Sequence, residues 1–209
     1  MEFALSQEVH TIEKELVTNK YFLVSARVNE IQDVLLWDEQ AKIVSTGSGY
    51  SSPEDRERRL ENLKKMIDDL NYQIQFIKDI AGRNIGCVMI NLKPPAETPS
   101  EPITSTILHD NSDTINLEEF NKILSKDKAN SGRAHIDSIT IASDLRGQGV
   151  GTSIIDQLSL DLKSKGYQYL SLDTGVNNYA MVKASKGFSF YHNSPYETNK
   201  PRLLGLKKL

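Results

Sequence analysis

A short run of glycines beside an arginine carries the clearest chemical signal in this sequence. Gly147, Gly149 and Gly151 fall on alternate positions directly after Arg146. Glycines at this spacing allow a tight turn and let a ligand approach the backbone closely. A helical apolar stripe begins at Val150, and the free amides at the start of a helix attract anions. Because a guanidinium can hold a phosphate through two donors, this stretch predicts an anion site.

Hydrophobic spacing predicts the elements that place this turn. β-branched residues at strand spacing indicate a strand over 135–143. The apolar positions then change to a helical period, and Gly166 is a natural helix stop. That helical stripe consists of Val150, Ile154, Ile155, Leu158 and Leu162. A second strand is predicted over 168–173, and 202–207 is a candidate closing strand. Strand, glycine turn, helix and strand in this order are typical of an α/β protein.

Two common phosphate motifs do not fit the turn. The dinucleotide fingerprint fails because Thr152 stands where its third glycine belongs, and the Walker pattern fails because no Gly-Lys-Ser/Thr follows. The pattern that fits is R-x-x-G-x-G, formed by Arg146, Gly149 and Gly151. It resembles the acyl-coenzyme A loop of the GCN5-related N-acetyltransferases, the GNAT superfamily.

A second motif supports the same resemblance. Asn177–Ala180 and Gly187-Phe188 resemble the family's N-x-x-A and G-F ending, in the correct order. The resemblance covers residues 133–209. It implies an α/β fold with a GNAT-like mixed, splayed β-sheet flanked by helices, here with a helical N-terminal extension. It also implies direct transfer of an acetyl group from acetyl-CoA to a primary amine, without a metal.

The resemblance further implies which residues bind the coenzyme. Amides of the glycine loop hold the pyrophosphate, and the end of the preceding strand pairs with the pantetheine arm and polarises the thioester carbonyl. Asn177 contacts the coenzyme or caps the following helix, a role that Asn178 can also take. The implied coenzyme-binding residues are Ile141, Ala142, Ser143, Arg146, Gly147, Gln148, Gly149, Val150, Gly151, Thr152 and Asn177.

Acetyl transfer to an amine needs a group that accepts the amine proton. Strand alternation predicts His135, Asp137, Ile139 and Ile141 on one face of their strand. GNAT proteins often carry a carboxylate near this position, so Asp137 is the first candidate for the base or for the anchor of a base water, and His135 is the second. The alternative is structural, with His135 in solvent at the strand entrance and Asp137 bonded to a nearby loop.

The acid that protonates the leaving thiolate departs from the family pattern. The family's Tyr position corresponds to Lys183, or to Ala184 in the other register. Tyr179 lies one helical turn before Lys183 and is the candidate substitute; Tyr191 and water are the alternatives. The missing Tyr leaves a second function open, an acyl-CoA-binding or non-catalytic module that engages a protein partner through its N-terminal helices.

The N-terminal part carries mostly helical spacing. Apolar residues over 5–45 step by three and four, which predicts helix, including over 21–28. A strand over 21–28 stays open as the alternative, and it would match the family order of one strand followed by two helices.

A further helix is predicted over 53–81. Ser52 as N-cap and Pro53 as first residue mark its start, and Gly82 marks its end. Its apolar residues at heptad spacing are Leu60, Leu63, Ile67, Leu70, Ile74 and Ile77. This pattern is typical of a helical hairpin over the core, or of a coiled-coil surface for a homodimer or a protein partner.

The middle of the chain predicts a strand over 84–92 and then an insertion over 93–132, where we expect substrate selection. Residues 108–119 resemble part of an EF-hand loop but lack its first Asp and its turn Gly, so no calcium site is predicted. Asn116 and Glu119 instead form a capping box at a helix start. We therefore predict a mainly helical region over 1–81, able to supply the first GNAT elements, and a GNAT-like core over 82–209.

Composition limits the partners and the compartment. A net charge of −3 and a pI of 5.8 give no footprint for nucleic acid or for an anionic membrane. The resemblance implies an amine-bearing acceptor, either a small molecule or a protein. The single cysteine, Cys87, excludes an internal disulfide and is expected to be a small buried hydrophobe. No apolar run reaches the roughly 18 residues that cross a bilayer, and no secretory signal precedes the domain. We predict the cytoplasm, with export by a signal-independent route left open.

Overall fold

The computed structural model describes residues 20–94, 106–107, 115–125, 132–193 and 202–209. The helical spacing before residue 20 and most of the EF-hand-like stretch lie outside this part of the chain. The strands are β1 (Tyr21–Ser25), β2 (Tyr72–Asp79), β3 (Asn84–Asn91), β4 (Thr106–Ile107), β5 (Arg133–Ile141), β6 (Tyr169–Gly175), β7 (Ser189–Asn193) and β8 (Arg202–Lys208). The helices are α1 (Ile31–Thr46), α2 (Pro53–Asp68), α3 (Leu117–Leu124), α4 (Val150–Ser164) and α5 (Tyr179–Ala184), with 3-10 turns at Val28–Glu30 and Ser143–Leu145.

The strands form one mixed sheet in the order β1-β2-β3-β5-β6-β8-β7-β4. Neighbouring strands are antiparallel except β5 and β6, which are parallel. The predicted boundary between 1–81 and 82–209 falls in the turn that joins β2 to β3. The elements before this turn therefore belong to the same sheet as those after it.

Helices cover both faces of the sheet. On one face, α4 and α5 pack against the strands, and the shared core includes Ile77, Val88, Ile90, Ala134, Ile136, Ile154, Ile155, Leu158, Leu162, Leu170 and Leu172. On the opposite face, α1 and α2 pack over β2 and β3 around Leu35, Leu63 and Phe76. On that same face, α3 packs over β7 and β8 around Phe120 and Leu206. The middle of this second face carries polar residues of β5 and β6.

Several predicted elements are confirmed, with small changes at their ends. The strands predicted over 84–92, 135–143, 168–173 and 202–207 are β3, β5, β6 and β8. The helix from Val150 is α4, and its apolar stripe is buried. Asn116 caps α3 by accepting a hydrogen bond from the Glu119 amide at 2.9 Å.

The predicted helix over 21–28 is wrong, because 21–25 form the edge strand β1. Phe22 lies opposite Lys78, and Val24 lies opposite Phe76 on β2. The alternate residues Tyr21 and Leu23 pack against the core beneath α4. Pairing with a strand more than fifty positions away overrides the local helical spacing, as is common for short apolar segments.

The helix predicted over 53–81 is also wrong in its second half. Helix α2 begins at Pro53 as expected but ends at Asp68. Asp69 then accepts hydrogen bonds from the Asn71 and Tyr72 amides, at 2.8 Å to its side chain and 2.9 Å to its carbonyl, and this turn leads into β2.

The heptad spacing therefore spans two kinds of element. Ile74 and Ile77 both belong to β2 and pack into cores on opposite faces of the sheet, while Leu70 is exposed in the turn. Since Leu63 packs inside the domain, the stripe does not form a continuous coiled-coil surface.

A β-bulge at Asp137 changes the facing of β5. Ile136 pairs with Ile90 and Ser138 pairs with Met89, so Asp137 is an extra residue inserted between two successive pairs of the register. Ile139 consequently faces α4 together with Ile136. The predicted common face for His135, Asp137, Ile139 and Ile141 is wrong, because one extra residue reverses the alternation after Asp137.

The close approach of β3 to β5 generates a test of the sheet. A Cβ added at Gly86 would lie 2.3 Å from the Thr140 carbonyl oxygen, whereas one added at Gly175 in β6 would meet nothing within 4 Å. Gly86→Ala should lower the free energy of unfolding by about 2 kcal/mol or more, because backbone must move to admit the methyl group. Gly175→Ala should change it by less than about 1 kcal/mol. Urea unfolding measures both, and equal losses would contradict the close approach.

Candidate active site

A cleft opens where β5 and β6 separate. Their parallel pairing runs from Arg133 opposite Tyr169 to Ile136 opposite Leu172. Beyond these pairs, β5 continues beside β3 alone and β6 continues beside β8 alone. The resulting cleft measures about 1010 Å³ and is lined by segments of β5, β6, α1 and α5 together with Tyr50, Arg59, Arg146 and Arg202.

The glycine turn directly follows Arg146, which lines this cleft. Gly147 and Gly149 have φ angles of 77° and 83°, which L side chains rarely adopt. A Cβ at either position would meet nothing within 4 Å, so backbone conformation, and not crowding, explains the glycines. Helix α4 follows, and its Ser153 amide donates to the Gly149 carbonyl at 3.0 Å. The bonding between turns of the helix therefore begins at the Ser153 amide, and the amides of the residues before it take no part in that bonding.

Side chains hold the glycine turn against the end of β5. Arg146 is exposed and lines the cleft, and its Nε donates to the Ile141 carbonyl at 3.0 Å. Gln148 donates from Nε2 to the Asp144 carbonyl at 2.7 Å. These bonds orient Arg146 while leaving guanidinium donors on the cleft side.

The backbone of β5 presents hydrogen-bonding groups toward the separated edge. The Ala142 amide donates to the Ile85 carbonyl of β3 at 2.9 Å. Because backbone groups alternate in direction along an antiparallel strand, the amides of Ile139 and Ile141 point the other way, toward the cleft. The Ala142 amide is engaged with β3, whereas the Ile141 amide, which belongs to the same segment predicted to contact the coenzyme, faces the cleft.

Helix α5 forms the wall opposite the end of β5. Asn178 caps it by accepting from the Met181 amide at 3.2 Å. Asn177 is exposed and lines the cleft, as does Tyr179, whose exposed fraction is 75%. Of the two asparagines, Asn178 is thus the cap, and Asn177 is placed to meet a ligand.

His135 and Asp137 lie close together in the structure but differ in their access to the cleft. His135 Nε2 lies 3.8 Å from Asp137 Oδ1, and the other ring nitrogen lies 2.9 Å from Ser171 Oγ. The His135 side chain is only 12% exposed, whereas Asp137 lines the cleft at its bulge. His135 therefore lies behind the carboxylate and outside the cleft.

Burial is the main reason that the pKa of His135 falls from 6.5 to about 4. Asp173 acts in the opposite direction, while the cations of Arg133 and Arg202 lower the pKa further. The imidazole is therefore neutral at physiological pH.

An ion pair that the sequence analysis missed lines the wall formed by α1 and α2. Arg59 donates from Nε and Nη2 to both carboxylate oxygens of Asp38, at 2.8 and 2.7 Å, and the Tyr50 hydroxyl also donates to Asp38. Burial, followed by this hydrogen bond, raises the pKa of Tyr50. Lys42 lies 4.6 Å from the centre of the Tyr50 ring. Asp38 and Arg59 are 21 positions apart, and no local pattern in the sequence predicted their pairing.

A second missed pair joins β6 to β8. Arg202 Nη2 lies 2.6 Å from Asp173 Oδ1, and both residues line the cleft. Asp173 offered a signal, because it is the charged residue that closes the predicted strand over 168–173. Its partner was not evident, since β6 and β8 come together only in the folded sheet.

The family assignment comes from comparison of the sequence. A profile of the acetyltransferase (GNAT) family matches residues 37–190. The chain belongs to this family. It is therefore an acetyltransferase that uses acetyl-CoA as co-substrate. A comparison of this sequence with curated proteins found no match.

Solved structures of low sequence identity share the GNAT fold. Spermidine N-acetyltransferase from Vibrio cholerae with CoA and spermine is 14% identical, with a TM-score of 0.59 over 90% of this chain and 95% of that one. An aminoglycoside acetyltransferase with coenzyme A is 12% identical, with a TM-score of 0.59 over 90% and 94%. Ribosomal-protein-alanine N-acetyltransferase from Brucella melitensis is 15% identical, with a TM-score of 0.57 over 90% and 99%.

Within the described ranges, no group of three or more His, Cys, Asp or Glu side chains is arranged to hold a metal ion. In the same ranges, no helix has both the length and the apolar character needed to span a membrane.

The buried, neutral His135 predicts a pH dependence of stability. Its pKa is about 4 in the folded chain against 6.5 as the ordinary value, so between these pH values the unfolded chain binds a proton that the folded chain does not. This group should therefore cost about 3 kcal/mol of folding free energy as the pH falls through that window. In His135→Gln the free energy of unfolding should therefore fall by correspondingly less between about pH 7 and about pH 4. Urea unfolding at the two pH values measures this difference. Parallel losses in both proteins would contradict the assigned burial.

Proposed function

We propose that this GNAT enzyme transfers an acetyl group from acetyl-CoA to a primary amine by direct attack, without a covalent enzyme intermediate. The observation that carries the proposal is that Arg146, which begins the glycine turn, the separated edge of β5 and Asp137 all line one cleft. An anion site, an oxyanion site and a base are the groups that acetyl transfer to an amine requires.

The coenzyme phosphates are assigned to the glycine turn. The left-handed backbone at Gly147 and Gly149, with open space around both, lets a pyrophosphate approach the amides ahead of Ser153. Arg146 adds a positive charge from a position fixed by the Ile141 carbonyl. Ser143, Val150, Gly151 and Thr152 complete the proposed contact segment, and Asn177 approaches from the opposite wall.

The thioester is assigned to the separated edge of β5. The amides of Ile139 and Ile141 point toward the position that a paired β6 would occupy. There they hydrogen-bond the pantetheine arm and polarise the thioester carbonyl, so the oxygen is stabilised as negative charge develops on it. Ile139 is thereby added to the proposed backbone donors, and a contact of the coenzyme with Ala142 stays a prediction.

Asp137 is assigned as the base that accepts the proton of the attacking amine, directly or through a water. The bulge places its carboxylate at the point where β5 leaves β6. His135 is the weaker candidate, since its side chain is only 12% exposed and lies behind the carboxylate, outside the cleft. During the transfer, the amine nitrogen bonds to the carbonyl carbon and the carbon–sulfur bond breaks. The coenzyme A thiolate that leaves then takes up a proton.

Tyr179 is assigned as the acid for the leaving thiolate, with water as the alternative donor. It is exposed on α5 and lines the same cleft as Arg146. The family's usual Tyr position is occupied by Lys183, which is the observation favouring a non-catalytic acyl-CoA-binding module. Family membership favours the enzyme.

The acceptor is assigned only as an amine on a small molecule or a protein. Relatives of the same fold carry spermine in their structure or are named for aminoglycosides and ribosomal-protein alanine. These three chemistries define a screening panel of spermine, an aminoglycoside and a peptide that begins with alanine. We propose the cytoplasm as compartment, because the single cysteine, Cys87, is free, which suits a reducing environment.

Charge reversal at Arg146 tests the coenzyme assignment. Calorimetric titration should show binding of acetyl-CoA and coenzyme A by the unaltered protein, and Arg146→Glu should weaken the affinity for acetyl-CoA by about tenfold or more, because a carboxylate would face the phosphates. Lys163→Glu makes the same charge change at the far, exposed end of α4 and should alter affinity by less than about twofold. Equal affinities of all three proteins for acetyl-CoA would contradict the assignment of the coenzyme phosphates to this turn.

Removing the proposed base tests the chemistry separately from binding. Asp137→Asn keeps the shape of the side chain and should lower kcat by about 100-fold with the most active amine of the panel, because general-base catalysis is lost. The dissociation constant for acetyl-CoA should change by less than about twofold. Release of the coenzyme A thiol measures turnover. Unchanged kcat would exclude Asp137 as the base, and absence of thiol release with all panel amines in the unaltered protein would favour the binding module.

A further inference from the structure

A buried row of polar side chains lies behind Asp137, and the reaction proposed above does not use it. Ser171 is fully buried in β6, and its Oγ lies 3.2 Å from Arg133 Nη1 and 2.9 Å from His135 Nδ1. The opposite nitrogen of the imidazole, Nε2, lies 3.8 Å from Asp137 Oδ1. The row therefore leads from a buried guanidinium to the carboxylate at the cleft.

The donors in this row can be assigned from their chemistry. A guanidinium only donates, so the Ser171 oxygen accepts from Arg133. The Ser171 hydroxyl has one proton to give, and two acceptors are in reach: His135 Nδ1 at 2.9 Å and the Ala134 carbonyl at 3.2 Å. Because a neutral imidazole carries a single N–H, the direction of the Ser171 hydroxyl and the tautomer of His135 are linked.

The carboxylate decides between the two arrangements. If Nδ1 carried the proton, the lone pair of Nε2 would face the negative charge of Asp137. If Nε2 carries the proton, an N–H faces that charge, and Nδ1 is left to accept the Ser171 proton through the shorter of its two contacts. The charged groups around the ring are Arg133, Asp137, Asp173 and Arg202. Low dielectric in this buried setting strengthens the preference.

We propose that Ser171 is a positioning residue, whose hydroxyl holds neutral His135 in the Nε2–H tautomer so that this N–H orients the Asp137 carboxylate toward the acceptor amine. Arg133 completes the row by donating to Ser171. The assignment rests on the proposed function only for the role of Asp137 as base. The tautomer itself is a property of the protein without substrates.

The tautomer is measured directly by nitrogen NMR of the histidine rings. The chain contains four histidines, and His135→Gln identifies the signals of His135. At neutral pH, the ring proton of His135 should lie on Nε2, with Nδ1 shifted as a hydrogen-bond acceptor. Ser171→Ala should abolish that shift of Nδ1. A proton on Nδ1 in the unaltered protein, or an unchanged Nδ1 shift in Ser171→Ala, would overturn the proposal.

Turnover separates positioning from structural support. Ser171→Ala should lower kcat by about tenfold with the most active panel amine, because the base is less well oriented, and leave KM for acetyl-CoA unchanged. Ser171→Thr keeps the hydroxyl and should restore most of the rate. The control is Ser159→Ala, which removes another buried serine hydroxyl, one that donates to the Ile155 carbonyl at 2.8 Å within α4, and should leave kcat unaltered.

Equal rate losses in Ser171→Ala and Ser159→Ala would reduce Ser171 to structural support, and a change in KM alone would place it in coenzyme binding. Either result would overturn the positioning role. Absence of turnover in the unaltered protein would instead be a failure of the proposed function, and the NMR result would then decide the tautomer on its own.

Discussion

The short pairing of β5 with β6 is the constraint on which the site depends. Only Arg133–Ile136 of β5 run beside β6, and each strand then keeps a single neighbour. The separation is sustained because β3 holds β5 and β8 holds β6, so only the facing edges give up hydrogen bonds. The glycine turn ends β5 on one side of this gap, and Asn177 follows β6 on the other. The strands that form the core therefore also create the ligand site.

The bulge at Asp137 reconciles two demands on the same strand. A strand covered by α4 must keep apolar residues on that face, and Ile136 and Ile139 both do so. Regular alternation over three positions would have sent one of them to the polar face. The extra residue absorbs the mismatch and turns a carboxylate into the cleft. Bulges commonly accompany active sites for this reason.

The parts of the fold that the sequence predicted are those whose signals are local. The glycine turn and α4 follow from neighbouring residues, and so does the asparagine cap of α3. The strand β1 was predicted only as the alternative to a helix, and the change from α2 to β2 was missed, because spacing by three and four fits either element until the partner strand is known. The same limit applies to the site. Arg146 could be found from its motif, whereas the pairs of Asp38 with Arg59 and of Asp173 with Arg202 join distant segments.

Those two ion pairs also determine how an acceptor meets the enzyme. In the described walls of the cleft, the carboxylates of Asp38 and Asp173 are each matched by a guanidinium at hydrogen-bonding distance. Such matched charges project little potential into solvent, unlike clefts lined by one sign of charge that draw substrates in from a distance. These two pairs therefore contribute little to the long-range attraction of a cationic amine. Discrimination among amines is left to short-range fit after contact.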